Sequence, residues 1–250
     1  MDITIMATLG KKSVTVTTNN TWLVATVEKI IVESPMVKSY FFRMPHPVNH
    51  LAGQHYELRL TAENGYQAAR LYSAAAASDG NALLQLSIMN VANGEVSPYV
   101  FEQLKAGDEV EIRGPFGKYF VWSPEETQSV LLIGGGSGVV PMHAMLSAHK
   151  QSNSNVPMKL LYSARHYDDI LFKDDFLSSK DVTITLTQEQ PNDWKGNTGR
   201  ISLEMLNEIV KGLNSPLCYI CGMSPFVDAA SNGLIELGIP AANIKTERFG

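Results

Sequence analysis

Four short groups of residues carry recognisable chemistry in this chain: Arg70-Leu71-Tyr72-Ser73, the run Gly134-Gly135-Gly136-Ser137-Gly138-Val139-Val140-Pro141, Cys221-Gly222, and Glu247-Arg248-Phe249. On a strand, Arg70 and Tyr72 share one face, so a guanidinium able to clamp a pyrophosphate bidentately stands beside a flat ring with a hydroxyl. Ser73 adds a hydroxyl suited to a ring nitrogen. A surface arginine, a core tyrosine and a turn serine fit the same tetrapeptide. The apolar run Val130-Leu131-Leu132-Ile133, followed by glycines and a helix start, lets backbone amides approach a dinucleotide pyrophosphate closely. Tight packing of a turn is the plainer use of the same glycines. Gly94-Glu95-Val96-Ser97-Pro98 places a glycine and an expected N-cap serine before a helix, which again turns free N–H groups toward an anion.

The chain's two cysteines, Cys218 and Cys221, invite a reading as a redox pair or half a metal site. They lie in Pro216-Leu217-Cys218-Tyr219-Ile220-Cys221-Gly222, which reads as a buried parallel strand, and residues three apart on a strand point to opposite faces. An iron–sulfur cluster usually takes four cysteine ligands, so no cluster is expected here, and no metal site. His46 and His50 have the spacing of helical ligands, but Pro45 and Pro47 place them in a loop.

The elements that must position these groups change character near Trp122. Residues 22–33, 38–44, 56–61, 83–89 and 109–113 are short alternating segments broken by Gly, Pro and Asn, the pattern of a closed or nearly closed antiparallel barrel. One helix is expected inside it, over 99–104. Gly114-Pro115-Phe116-Gly117 reads as a turn closing the barrel. From Ser129 onward, strands at 130–133, 158–163, 182–187 and 217–221 alternate with helices at 141–150, 170–177, 203–210 and 225–237. That alternation implies a parallel sheet with crossover helices. The expected division is an N-terminal arm over 1–20, a barrel domain over 21–123 and an α/β domain over 124–250, joined at Ser123-Pro124-Glu125-Glu126. The arm is Thr/Val-rich with Lys11-Lys12 in its middle, and it is expected to be a loose, disordered arm or an added edge strand. It lacks the basic-then-apolar order of a secretory signal.

The 250 residues carry a net charge of −5 with no basic block, and 44% hydrophobic and 18% charged residues, so nothing suggests a phosphate-tracking nucleic-acid surface. No apolar run approaches the ~20 residues of a membrane span, so a soluble, cytoplasmic protein is expected.

Ala52-Gly53-Gln54-His55-Tyr56 and Gly114 to Gly117 complete a set that, with the groups above, resembles the ferredoxin–NADP reductase family from Trp22 to Gly250. The resemblance implies an FAD-binding barrel followed by an NAD(P)-binding domain, and an enzyme that moves hydride from NAD(P)H to FAD. Arg70 would contact the FAD pyrophosphate, with Leu71 between it and Tyr72, which would pack on the isoalloxazine; Ser73 would lie near flavin N5. Gly94, Val96 and Ser97 would serve the pyrophosphate. Gly136, Ser137, Gly138 and Pro141 belong to the matching nucleotide loop. Cys221 and Gly222 would stand beside the nicotinamide, Glu247 near the transfer site, and Phe249 over the flavin face. Ser163, Arg165 and Arg200 match positions that hold a 2′-phosphate, so NADPH is expected. NADH stays open because Gln188 stands where many relatives have a further arginine and Asp168-Asp169 follow Arg165. Where many relatives carry a basic residue before the glycine turn, this chain has Ile88-Met89-Asn90. The implied acceptor is a separate ferredoxin, flavodoxin or oxygenase-type protein. Two other functions fit: an NAD(P)H:flavin reductase using free flavin, and a non-catalytic electron-relay subunit.

Overall fold

Strands β1 (Thr4–Leu9) and β2 (Lys12–Thr17) pair antiparallel and hydrogen-bond to neither larger sheet. The computed structural model describes residues 4–9, 12–17 and 20–249; the rest of the expected arm lies outside the described residues. Where an added edge strand was one expectation, the two described strands pair only with each other.

The alternating segments form a six-stranded antiparallel sheet in the order β6-β5-β8-β3-β4-β7. Its strands are β3 (Leu23–Ser34), β4 (Val37–Arg43), β5 (His55–Thr61), β6 (Gln67–Ser73), β7 (Leu83–Met89) and β8 (Glu109–Phe116). Edge strands β6 and β7 are drawn together by an Ala74–Leu86 bridge, and the Ala75 N–H donates to the Gln85 carbonyl at 2.9 Å. That closure removes most of the free edge of the sheet and gives the expected barrel. Tyr40, Phe42, Leu58, Leu84, Leu86 and Ile112 fill it and are fully buried. Burying each aliphatic side chain of this kind stabilises the fold by roughly 1.5–3 kcal/mol.

The helix α1 (Ser97–Gln103) covers one end, and Tyr40 donates its hydroxyl to the Val100 carbonyl at 2.7 Å. Ser97 is not its N-cap. Val96 already has helical backbone angles (φ −102°, ψ −52°), so Ser97 is the first helical residue, and its hydroxyl faces back to accept from the Val91 N–H at 3.2 Å. Gly114-Pro115-Phe116 is not a turn either. These residues continue β8 because Gly114 runs against the Tyr56 ring, where a Cβ would meet a ring carbon at 2.7 Å; the chain turns afterwards, at Gly117 (φ +94°).

The second half builds a parallel sheet in the order β12-β11-β10-β9-β13-β14. Its strands are β9 (Val130–Gly135), β10 (Met158–Ala164), β11 (Val182–Leu186), β12 (Asn197–Thr198), β13 (Leu217–Met223) and β14 (Ile244–Phe249). Helix α2 (Val140–Gln151) packs on one face with Leu132, Leu160 and Tyr219. Helices α4 (Leu203–Val210) and α5 (Ser224–Glu236) cover the other, against Leu131, Ile133 and Ile220. Cys221 belongs to the first face and Cys218 to the second, as strand geometry requires. The helix expected over 170–177 is shorter. Ile170, Leu171 and Phe172 are buried plugs, and Phe172 takes left-handed backbone angles (φ +51°), so α3 spans only Lys173–Leu177.

The two halves share a core. Val37, Ala52, Ala75, Phe120 and Trp122 pack into the same cluster as Met142, Met145 and Tyr219. His143 on α2 stacks on Phe172 at 3.8 Å and places Nδ1 2.5 Å from the Ala75 carbonyl, and the Phe172 N–H donates to Glu33 at 3.2 Å. The segment that follows Ser73 is thereby fixed to the second domain.

Candidate functional site

Strand register decides which side chains meet. On β5 and β6, His55 stands opposite Ser73, Tyr56 opposite Tyr72 and Leu58 opposite Arg70. In the parallel sheet, Cys221 is level with Gly134 on one side and Glu247 on the other, and Met223 is level with Phe249. Strand order reverses on β9, with β10 to one side and β13 to the other. In an open parallel sheet, the crevice beyond such a switch point is where ligands bind.

At this crevice the two domains meet through a chain of residues. His55 Nδ1 lies 3.9 Å from Glu247 Oε1, so Ser73, His55, Glu247 and Cys221 follow one another from barrel to sheet. Glu247 Oε2 is buried without a hydrogen-bond partner, and so is the Tyr72 hydroxyl. Buried polar atoms are nearly always paired, so two orphans here mark a place prepared for a further partner. Burial raises the Glu247 carboxyl above the ordinary glutamate range and lowers His55 below the ordinary histidine range. Burial first, and the Glu247 charge second, push the Cys221 thiol far up, so it is not a thiolate nucleophile. Burial also pushes the Tyr72 phenol up to about 12.

The glycine loop closes on this point. A Cβ on Gly138 would lie 2.3 Å from the Cys221 carbonyl oxygen, and one on Gly135 2.9 Å from the Phe226 ring, whereas Gly136 (φ +55°) faces open space. Beyond it runs a cleft of about 460 Å³. Gly136, Ser137, Ser163, Arg165 and Phe249 line it from the second domain, and Asn90, Val91 and Ala92 from the barrel. Arg165 makes no ion pair among the described residues; the two acids behind it are engaged elsewhere, Asp168 with Lys173 at 3.6 Å and Asp169 with His166 at 2.9 Å.

The remaining sequence-derived positions fall differently. Arg70 is half-exposed and donates to Glu95 Oε2 and to the Ala69 carbonyl, both at 2.7 Å; Leu71 is exposed beside it. Val96 is fully buried and Pro141 sits buried in α2. Gly222 packs under Phe226. Arg200 is exposed and is not among the residues lining the cleft.

A family model described as an oxidoreductase FAD-binding domain matches residues 24–121, and one described as an oxidoreductase NAD-binding domain matches 132–232. NADH-cytochrome b5 reductase 1 of Cryptococcus neoformans is 30% identical over 222 residues, covering 81% of this chain and 74% of that protein. The chain belongs to the ferredoxin–NADP reductase-like family. The phenol hydroxylase P5 protein of Acinetobacter pittii is 27% identical over 232 residues, which cover 90% of this chain and 65% of that protein. The flavohem-like FAD/NAD-binding domain of nitric oxide dioxygenase from Vibrio cholerae superposes with a TM-score of 0.78 at 25% identity, over 91% of this chain and 98% of that one. FAD and a pyridine nucleotide are thus the cofactors of a ferredoxin–NADP reductase-like chain, and the residues present fit both. The orphaned Tyr72 hydroxyl and Glu247 oxygen flank the barrel–sheet junction, and the glycine loop leaves open space only at Gly136.

Two residues of the site escaped the motifs. His55 lies within Gln54-His55-Tyr56, but its place beside Ser73 follows from the β5–β6 register, which the motif does not spell out. Glu95 sits inside the glycine turn, where only the fold brings it to Arg70.

Proposed function

We propose that the chain is an FAD-dependent NAD(P)H oxidoreductase of the cytoplasm that passes electrons to a separate ferredoxin, flavodoxin or oxygenase-type protein. Residues 21–123 serve as the flavin domain and 124–250 as the nucleotide domain. The observation that carries this reading is the line Ser73–His55–Glu247–Cys221, which joins the two domains at the switch point of the sheet. FAD, when bound, accepts a hydride and releases electrons one at a time. The chain supplies position and proton control. Tyr72 offers its unpaired hydroxyl and Ser73 its own to the flavin end. Cys221, neutral and polarizable, forms a wall for a nicotinamide ring and keeps water out. Glu247, protonated more readily than an exposed glutamate, offers Oε2 as a site for a proton, with His55 Nδ1 3.9 Å from its other oxygen. Phe249 lines the cleft, so an incoming nicotinamide displaces it or shares its wall.

NADPH is the favoured donor. Arg165 lines the cleft beside Ser163 and Thr187 and makes no ion pair among the described residues, so it offers a cation to a 2′-phosphate, with Asp169 of the same cleft held by His166. The two cysteines of the chain are too few for an iron–sulfur cluster, consistent with an acceptor on another protein. Steady reduction of an artificial acceptor by the purified chain with NADPH supports the proposal; no turnover with any acceptor sinks it and favours an electron-relay subunit. A second reading, an NAD(P)H:flavin reductase with exchangeable flavin, is favoured by the Arg70–Glu95 pair, which occupies the expected diphosphate clamp. Retention of FAD through gel filtration separates the two.

A further inference from the structure

The mechanism gives Glu95 no task, yet it occupies the place where a flavin diphosphate would meet Arg70. Its Oε2 accepts from Arg70 Nη2 at 2.7 Å, and its Oε1 accepts from the Tyr66 hydroxyl, also at 2.7 Å. The other polar groups of this cradle are turned away as well. Arg70 Nη1 is spent on its own neighbour's carbonyl, and the Ser97 hydroxyl is held inward by the Val91 N–H. On the adjoining strand end, Ile88-Met89-Asn90 supplies no cation. Arg70 and Glu95 are 51% and 50% exposed, so the pair can open into water without breaking the core.

We propose that Glu95 is an internal occupant of the Arg70 clamp and thereby sets the chain's selectivity between flavins that carry a diphosphate and flavins that do not. The inference rests on the reading of the barrel as a flavin site. Binding FAD exchanges one anion for another at Arg70 and leaves the Glu95 carboxylate beside two further negative charges. Riboflavin, which ends before any phosphate, requires no exchange. The penalty therefore falls on the dinucleotide alone, and because the site is half-exposed it is modest and screened by salt.

The test is equilibrium binding of FAD and of riboflavin to the full chain, read by quenching of flavin fluorescence, for the wild type, Glu95→Gln and Glu95→Lys. The glutamine keeps the hydrogen bond to Tyr66 and loses the charge; the lysine reverses it. FAD affinity is expected to rise roughly fivefold with glutamine and further with lysine, while riboflavin affinity stays within about twofold. The gain is expected to shrink at high salt. Glu95→Ala, a second charge-free variant, keeps the comparison decisive if glutamine packs poorly. An FAD-to-riboflavin affinity ratio that is the same in all four proteins overturns the role of Glu95. Failure of every form to bind either flavin overturns the flavin-site reading itself.

Discussion

The barrel–sheet junction and the two arginines outside it, Arg70 and Arg165, are built on opposite terms. At the centre, Tyr72 and Glu247 keep buried polar atoms without partners, and Cys221 and Gly138 are pressed together so closely that no side chain fits between. Farther out, Arg70 donates to Glu95 and to the Ala69 carbonyl, while Arg165 in the cleft is left without an ion pair among the described residues. Unmet hydrogen-bonding capacity in a buried place costs stability, and a fold that keeps it is organised for a ligand. An exposed ion pair costs little and can be exchanged. On the proposed reading, shape and burial would hold the reacting rings, and the two arginines offered to phosphate would act unequally.

The largest effect is expected at Gly138. In Gly138→Ala the new methyl group collides with the Cys221 carbonyl, so the loop must move off β13. Reduction by NADPH is expected to slow roughly 100-fold with flavin binding retained, since small misplacements of reacting groups carry penalties of that order. Unfolding by denaturant is expected to show a loss of about 1–3 kcal/mol from overpacking. Equal loss of flavin and nucleotide binding would mean that the residue merely holds the fold.

Glu247→Gln tests the proton side of the same centre. Turnover is expected to fall on the order of 100-fold, with a flattened pH profile. The stability effect has a definite sign. Burial raises the carboxyl, so the wild type keeps its full stability below the ordinary glutamate pKa and loses some as pH rises through the raised one. The glutamine variant is therefore expected to melt higher than wild type at pH 8, with the advantage gone near pH 4; thermal melts at both pH values check it.

Smaller effects separate the two phosphate ends and the orphaned hydroxyl. Arg165→Ala is expected to lower the ratio of kcat/KM for NADPH over NADH by roughly tenfold, the scale of a charge-assisted contact. An unchanged ratio would move the 2′-phosphate site elsewhere, with Arg200 the next residue to substitute. Tyr72→Phe is expected to leave thermal stability unchanged or slightly higher, because the hydroxyl satisfies nothing within the protein, and to weaken flavin binding roughly fivefold.

Much of this organisation was legible in the residues. The periodicity placed β7 and α4 at their observed bounds, because both are short, strongly patterned and flanked by turn residues. Strand geometry alone separated Cys218 from Cys221. The errors arose where tertiary contacts override local signals. Ser97 looked like a cap, but Val96, buried in the barrel, already enters the helix. Gly114-Pro115 looked like a turn, but the glycine serves close approach to Tyr56 inside β8. The last described residues pair with β13 and form the strand β14, which no local pattern marks. Of the site, the glycine loop and the Arg70–Ser73 group carry their own spacing. His55 and Glu95 reach their partners only through register and chain reversal, which no local pattern encodes.

Hydride transfer across the junction is tested most directly by anaerobic rapid mixing of the FAD-loaded chain with NADPH and, in parallel, NADH, followed by the visible absorption of the flavin. Rapid bleaching is expected, faster with NADPH and markedly slowed in Glu247→Gln. A chain whose flavin absorption is unchanged by either nucleotide would contradict hydride transfer at the Ser73–Cys221 junction.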